Sequence, residues 1–128
     1  MRILVVDDST TMRRILINTL KGAGVTEVDE ACDGQQAVDA VTATQYGLVL
    51  MDWNMPNLLG IEALKAIRAL GNTVPVIMVT TEAEKGRVLE ALKAGASNYI
   101  IKPFTPAVIM EKVNAVLGKS GASIAVKA

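Results

Sequence analysis

The sequence predicts an α/β domain of the doubly wound kind, with one five-stranded parallel sheet and helices on both of its faces. Three observations predict it. Five short apolar runs alternate with five longer stretches of helical periodicity, which gives a βα unit five times over. The runs at 47–52 (GLVLMD) and 74–81 (VPVIMVTT) lack polar alternation, as strands covered on both faces do. The core material is aliphatic: 51% of the 128 residues are hydrophobic, yet one Trp, two Tyr and one Phe are all the aromatics.

Residues 2–6 (RILVV) read as the first strand, which ends at Asp7-Asp8. Residues 10–24 place Met12, Ile15, Leu16, Thr19 and Leu20 on one helical face and stop at Gly22 and Gly24. The alternating run 27–31 is the second strand. In 33–44, Ala37, Val38 and Val41 meet on a helix that Asp33 is placed to cap. The third strand, 47–52, is followed by a helix over 60–70 with Ile61, Leu64, Ile67 and Leu70 inward. After the strand at 74–81, a helix runs over 82–96 through Gly86 to Gly95. A short strand at 98–102 leads to the last helix, 106–118, with Ile109, Val113, Val116 and Leu117 inward, proline in its first turn and glycine at its end. The domain is expected to span 1–119, followed by a tail, 120–128, that either frays or docks.

Thirteen basic and thirteen acidic residues cancel, which gives no support to a nucleic-acid or anionic-membrane binder. No run approaches the roughly 18 apolar residues of a membrane span, and the first apolar run is too short for a signal peptide. One cysteine, Cys32, excludes an internal disulfide and a zinc-type cysteine cluster and fits a reducing cytoplasm. With no histidine in the chain, histidine metal ligands and every Ser-His or Cys-His nucleophile are excluded. Chemistry here must use carboxylates, hydroxyls and lysine.

In a parallel sheet all strands end at one edge, where such folds bind ligands. The strands deliver to that edge Asp7 and Asp8, Asp52, Thr80 and Thr81, and Lys102. Taken singly, each has an ordinary reading: Asp8, Ser9 or Thr10 caps the first helix, and a strand-end lysine is solvated. Taken together they are costly. Two like charges about 4 Å apart repel by roughly 4 kcal/mol at an effective dielectric near 20. One lysine does not offset three acids. A hard dication does, and carboxylate oxygens suit Mg²⁺, which keeps several waters and commonly a phosphate oxygen.

The pieces VVDDS, LMDWNMP, MVTTE and YIIKPF, in this order and spacing, resemble the receiver domain of two-component response regulators over residues 2–118. DWNMPN and KPFT, with no output domain, are similar to the single-domain, CheY-like chemotaxis branch of that family. The resemblance implies the flavodoxin-like strand order 2-1-3-4-5. It also implies that Asp52 is the phosphoacceptor, an aspartyl nucleophile taking a phosphoryl group from a histidine kinase. Asp8, Asp52 and the backbone carbonyl of Asn54 would bind Mg²⁺, and Asp7 would orient metal-bound water. Lys102 would pair with phosphoryl oxygens from a cis Lys102–Pro103 turn, and Thr80 would donate its hydroxyl to the phosphoryl group. Asn54 and Glu82 would tune dephosphorylation. Thr80 and Tyr99 would form the switch, with output on the fourth helix, fifth strand and fifth helix through Ala83, Val88, Tyr99, Ile101 and Lys112. The implied partners are a kinase, the flagellar motor switch and a phosphatase, bound by a cytoplasmic monomer that is not an enzyme beyond self-phosphotransfer and autodephosphorylation. Use as a phosphate sink or relay in another pathway has the same sequence requirements.

The chain departs from this pattern at Leu58-Leu59, where the family usually has a methionine and an acid; the two leucines either face outward or tuck inward. Ser9 replaces an aromatic found in some relatives. Trp53, beside the acceptor, either reports on the site optically or simply covers the loop. A Mg²⁺-dependent phosphohydrolase would also use a strand-end aspartate. It needs a second acid close after it and a cap, whereas Asp52 is followed by Trp53-Asn54. A flavodoxin-type cofactor module needs a phosphate-binding loop after the first strand, where this chain has DDSTT.

Overall fold

The computed structural model of the chain describes residues 1–81 and 85–119. Five strands and five helices alternate: β1 (Arg2–Val6), α1 (Thr10–Gly22), β2 (Glu27–Ala31), α2 (Gly34–Ala43), β3 (Leu48–Asp52), α3 (Gly60–Ala69), β4 (Val76–Thr80), α4 (Lys85–Lys93), β5 (Asn98–Ile101) and α5 (Pro106–Lys119). All pairings are parallel and the sheet order is β2-β1-β3-β4-β5, as expected.

The missing polar alternation in β1, β3 and β4 follows from their placement. Successive side chains point to opposite faces, and both faces are covered. Leu4, Val6, Val49, Met51, Val76 and Met78 pack beneath α2, α3 and Ala91 of α4. Ile3, Val5, Leu48, Leu50, Ile77 and Val79 pack beneath Leu16 and Leu20 of α1 and Ile109, Val113 and Leu117 of α5. β2 is an edge strand and keeps polar residues: Asp29 receives hydrogen bonds from Arg2 and from the Tyr46 hydroxyl.

Two inward assignments are corrected. Ile15 is 43% exposed and Leu70 is 58% exposed. The buried stripe of α1 runs through Arg13, Leu16 and Leu20, rotated from the expected face because a cation occupies one of its positions. Leu70 lies past the last turn of α3 as its C-cap, so its side chain leaves the inward stripe. Asp33 caps α2, its carboxylate accepting from Gln36 N at 2.8 Å. Of the three candidate caps for α1 the structure selects Ser9, whose hydroxyl accepts from Met12 N at 3.2 Å. α1 ends where Gly24 adopts φ 101°, while Val25 N donates to Leu20 O at 3.1 Å. This is the left-handed turn that glycine makes at least cost. Residues 82–84, the expected start of the fourth helix, and the tail 120–128 lie outside the described residues. No described helix is long and apolar enough to cross a membrane.

Candidate functional site

The strand ends converge as their chain direction requires. Asp52 is the last residue of β3, Thr80 the last of β4, Asp7-Asp8 follow β1, and Lys102 follows β5. Carboxylate oxygens of Asp7, Asp8 and Asp52 all lie within 4.8 Å of one another. Asp7 is 1% exposed and Asp52 7%, whereas Asp8 faces solvent. Lys102 reaches across the sheet edge, its Nζ 3.0 Å from Asp52 Oδ1 and 3.4 Å from Asp7 Oδ2. Its backbone N–H donates to Thr80 O at 2.7 Å, and the Lys102–Pro103 peptide is cis.

Burial is the main electrostatic fact here. It pushes the carboxyl of Asp7 above the usual carboxylate range, against the Ser9 N–H and the Lys102 ammonium, which pull it down. Burial does the same to Asp52, and the neighbouring charges of Asp7 and Asp8 add to it while Lys102 opposes. For Lys102 burial acts downward, but Asp52 and Asp7 outweigh it and hold the ammonium above its ordinary value. The lysine is therefore protonated and the two buried acids are under-neutralised.

The loop after β3 is fixed by backbone bonds. Trp53 N donates to Val79 O at 3.1 Å and Gly60 N to Trp53 O at 2.8 Å. A Cβ on Gly60 would collide with the Asp52 carbonyl, so only glycine lets α3 start this close to the acid. Asn57, at φ 68°, donates its side-chain amide to Asp33 Oδ2 at 2.7 Å and ties the loop to α2. The two leucines part company: Leu58 packs partly buried on the core, and Leu59 is 39% exposed. Trp53 is 4% exposed and part of the core, and the guanidinium of Arg87 from α4 lies 4.9 Å from its ring centroid. Asn54 is exposed beside it.

Among the expected output residues, Val88, Tyr99, Ile101 and Lys112 are half-buried, and the Lys112 ammonium lies 5.0 Å over the Tyr99 ring. Thr80, 3% exposed, sits at the strand end between these residues and the acids. Glu82 and Ala83 lie outside the described residues. Two arginines escaped the sequence reading, Arg87 and Arg13. Arg87 carries no local signal, since its partner is remote in sequence. Arg13 does carry one: it shares the i, i+3, i+7 stripe with Leu16 and Leu20.

The donor set fits a hard divalent cation. All three candidate donors are carboxylate oxygens, two of them held in place by burial, and Lys102 alone leaves them short of positive charge among the described residues. Three carboxylates with one open to water suit Mg²⁺ better than a cage that would supply every ligand.

A doubly wound parallel sheet carrying an acidic cluster and a lysine at its carboxyl edge is the architecture of a receiver-type signalling domain. The chain belongs to the response regulator receiver domain family, whose sequence profile matches residues 3–114. It is 52% identical over 121 residues to a chemotaxis protein CheY homolog of Campylobacter jejuni, covering 92% of this chain and 93% of that protein. Among solved structures, it is similar to chemotaxis protein CheY4 of Vibrio cholerae, with TM-score 0.84, 33% identity, and 91% and 98% of the two chains covered. The receiver domain of Francisella response regulator 1452 superposes with TM-score 0.87 at 28% identity, covering 93% and 98%.

Proposed function

We propose that this chain is a CheY-like chemotaxis regulator that accepts a phosphoryl group on Asp52. The observation that carries the reading is the position of Lys102, 3.0 Å from Asp52 and 3.4 Å from Asp7, in a cluster that Asp8 closes. An Asp52 carboxylate oxygen attacks phosphorus; the new O–P bond forms as the N–P bond to a phosphohistidine breaks, and the electron pair leaves with the imidazole nitrogen. The donor is another protein, since this chain has no histidine. Phosphoryl transfer asks the protein mainly for alignment and charge neutralisation. The rigid end of β3 supplies the alignment. Lys102 pairs with phosphoryl oxygens, and the Thr80 hydroxyl donates to them. Asp8, Asp52 and the Asn54 carbonyl would hold Mg²⁺, and Asp7 would orient its water. Mg²⁺ when bound supplies the positive charge that the lysine alone lacks.

Movement of Thr80 toward the phosphoryl group selects a second packing of Tyr99 and changes the surface made by α4, β5 and α5. Val88, Ile101 and Lys112 belong to that surface, which engages the flagellar motor switch, and the resemblance adds Ala83 to the residues that contact it. Asn54 and Glu82 set the rate at which water, or a phosphatase, removes the group. The protein acts as a cytoplasmic monomer and turns over only its own phosphate. The test is incubation with acetyl phosphate and Mg²⁺. One acid-stable, base-labile phosphate per chain, absent in Asp52→Asn, supports the reading; repeated turnover of unrelated phosphate esters points to a hydrolase. A motor-switch peptide should bind tighter after beryllofluoride treatment. Unchanged affinity would leave the acceptor chemistry standing and make a phosphate sink or relay the better output.

A further inference from the structure

We propose that Arg13 is a positioning residue for the acidic pocket: its guanidinium sets the peptide plane between Asp7 and Asp8 and so aims the Asp8 carboxylate at the cation. The inference rests on the Mg²⁺ reading above. Arg13 occupies the buried stripe of α1 and is 9% exposed. A cation there is costly unless its donors find acceptors. It finds three, on three elements. Nη1 donates to Asp7 O at 2.7 Å, Nε to Glu30 Oε1 at 2.9 Å, and Nη2 to Thr10 Oγ1 at 3.2 Å.

The shortest of these bonds is the buried one, to the carbonyl. The Glu30 partner is 51% exposed, so that ion pair is screened and contributes little. Asp7 is otherwise fully held: its N–H donates to Ala31 O at 3.1 Å, Oδ1 accepts from Ser9 N at 2.9 Å, and Oδ2 accepts from Lys102. Asp8 is the opposite case. It is exposed, and among the described residues its carboxylate accepts no hydrogen bond. Among the described residues, its main chain is what holds it. The peptide group is planar, so the direction of the Asp7 carbonyl also fixes the Asp8 N–H and the Asp8 Cα, the point from which the side chain departs. Arg13 grips that plane from a helix already anchored by the Ser9 cap. The guanidinium thus stands behind the proposed metal ligand as hydrogen-bonding partners of ligands do elsewhere.

The experiment compares Mg²⁺ affinity with thermal stability in four variants. Arg13→Met keeps the aliphatic stem and removes every donor; Arg13→Lys keeps one charged donor and loses the fork. Glu30→Gln discharges the ion pair, and Val116→Ala loosens the core on α5, away from the pocket. Mg²⁺ dissociation constants are read by calorimetry and by the emission of Trp53, the single tryptophan. Arg13→Met should weaken Mg²⁺ binding about tenfold, with Arg13→Lys between it and the wild type. Glu30→Gln and Val116→Ala should stay within about twofold of wild type, whatever their melting temperatures, since neither touches the Asp7 carbonyl. If Arg13→Met does not fold, the Arg13→Lys shift against the two controls decides. Wild-type affinity in the Arg13 variants, or equal weakening in Val116→Ala, overturns the inference while the site reading stands. No saturable Mg²⁺ binding by the wild type overturns both.

Discussion

Replacing Asp52 by asparagine should stabilise the metal-free protein, although it deletes the best-formed ion pair in the site. Lys102 at 3.0 Å attracts the Asp52 charge by about 5.5 kcal/mol at an effective dielectric near 20. Asp7 and Asp8, with oxygens up to 4.8 Å away, repel it by about 3.5 kcal/mol each, the Asp8 share being reduced by its exposure. Attraction and repulsion nearly cancel, so the burial of the carboxylate, the largest influence on Asp52, decides the sign. A net gain of about 1 to 2 kcal/mol follows for Asp52→Asn at neutral pH, read from urea unfolding in the presence of a chelator. The pH dependence has a definite direction. The folded-state pKa of Asp52 is raised above 3.8, so its ionisation costs stability as pH rises through the folded value. The gap between variant and wild type should therefore be full at neutral pH and close below the ordinary carboxylate range. Mg²⁺ should narrow it: at ten times its dissociation constant the ion adds about 1.4 kcal/mol to the wild type, and less to a variant with one carboxylate fewer. A metal-free Asp52→Asn protein less stable than wild type would refute this account of the cluster.

Gly60→Ala should cost about 2 to 3 kcal/mol and slow labelling by acetyl phosphate, because its Cβ meets the Asp52 carbonyl; an unfolding midpoint equal to wild type would contradict the close approach. Arg87→Ala should remove about 1 kcal/mol of cation–π attraction and shift Trp53 emission to the red as the indole face opens to water, read in a simple emission spectrum. Asp33→Ala should lower the melting temperature more than Asp33→Asn, which keeps a capping oxygen for Gln36 N. The bonds from Gln36 N and Asn57 hold the Asp33 carboxyl below its usual range, so its contribution is present above the ordinary carboxylate pKa and is lost as pH falls through the lowered one. The melting-temperature difference between Asp33→Asn and wild type should accordingly vanish in strong acid.

The strands were legible because a parallel sheet covered on both faces leaves β1, β3 and β4 no polar positions, and chain direction alone sends Asp7, Asp52, Thr80 and Lys102 to one edge. Helix faces were legible only where every inward residue is apolar, as in α5, where Ile109, Val113, Val116 and Leu117 are all buried. In α1 the apolar pattern pointed to Ile15, which is exposed, because Arg13 shares the stripe of Leu16 and Leu20 but reads as a surface cation until its acceptors are known. Two of its three acceptors lie after β1 and on β2, which spacing within α1 cannot reveal. Leu58 and Leu59 carry the same side chain yet differ in burial, since the loop's path over α2 decides it: a Cβ on Gly34 would strike the Leu58 carbonyl. The Arg87–Trp53 stack joins residues far apart in sequence and leaves no local trace.

The distribution of charge over the strand ends has a mechanical consequence on the proposed reading. No single segment holds the site, so the metal-free repulsion is a property of the assembled sheet, and relief of it can act on the whole fold. The counter-charge paired with these acids among the described residues, Lys102, is also the exit from the site: its ammonium lies 3.0 Å from Asp52, while its backbone N–H donates to Thr80 O at 2.7 Å. Three residues before it is Tyr99, under the Lys112 ammonium. A new negative group on Asp52 competes for Lys102 and for the Thr80 hydroxyl, and both lie on the paired ends of β4 and β5. On that reading, the path from acceptor to output face would run through a change of partner for one hydroxyl, Thr80, and one ammonium, Lys102. A Thr80→Val variant should separate the two halves of that path: it should still accept phosphate on Asp52, through Lys102, but fail to tighten binding at the α4–β5–α5 face. Loss of both together would show that Thr80 serves the acceptor chemistry itself and that the switch is carried by Lys102.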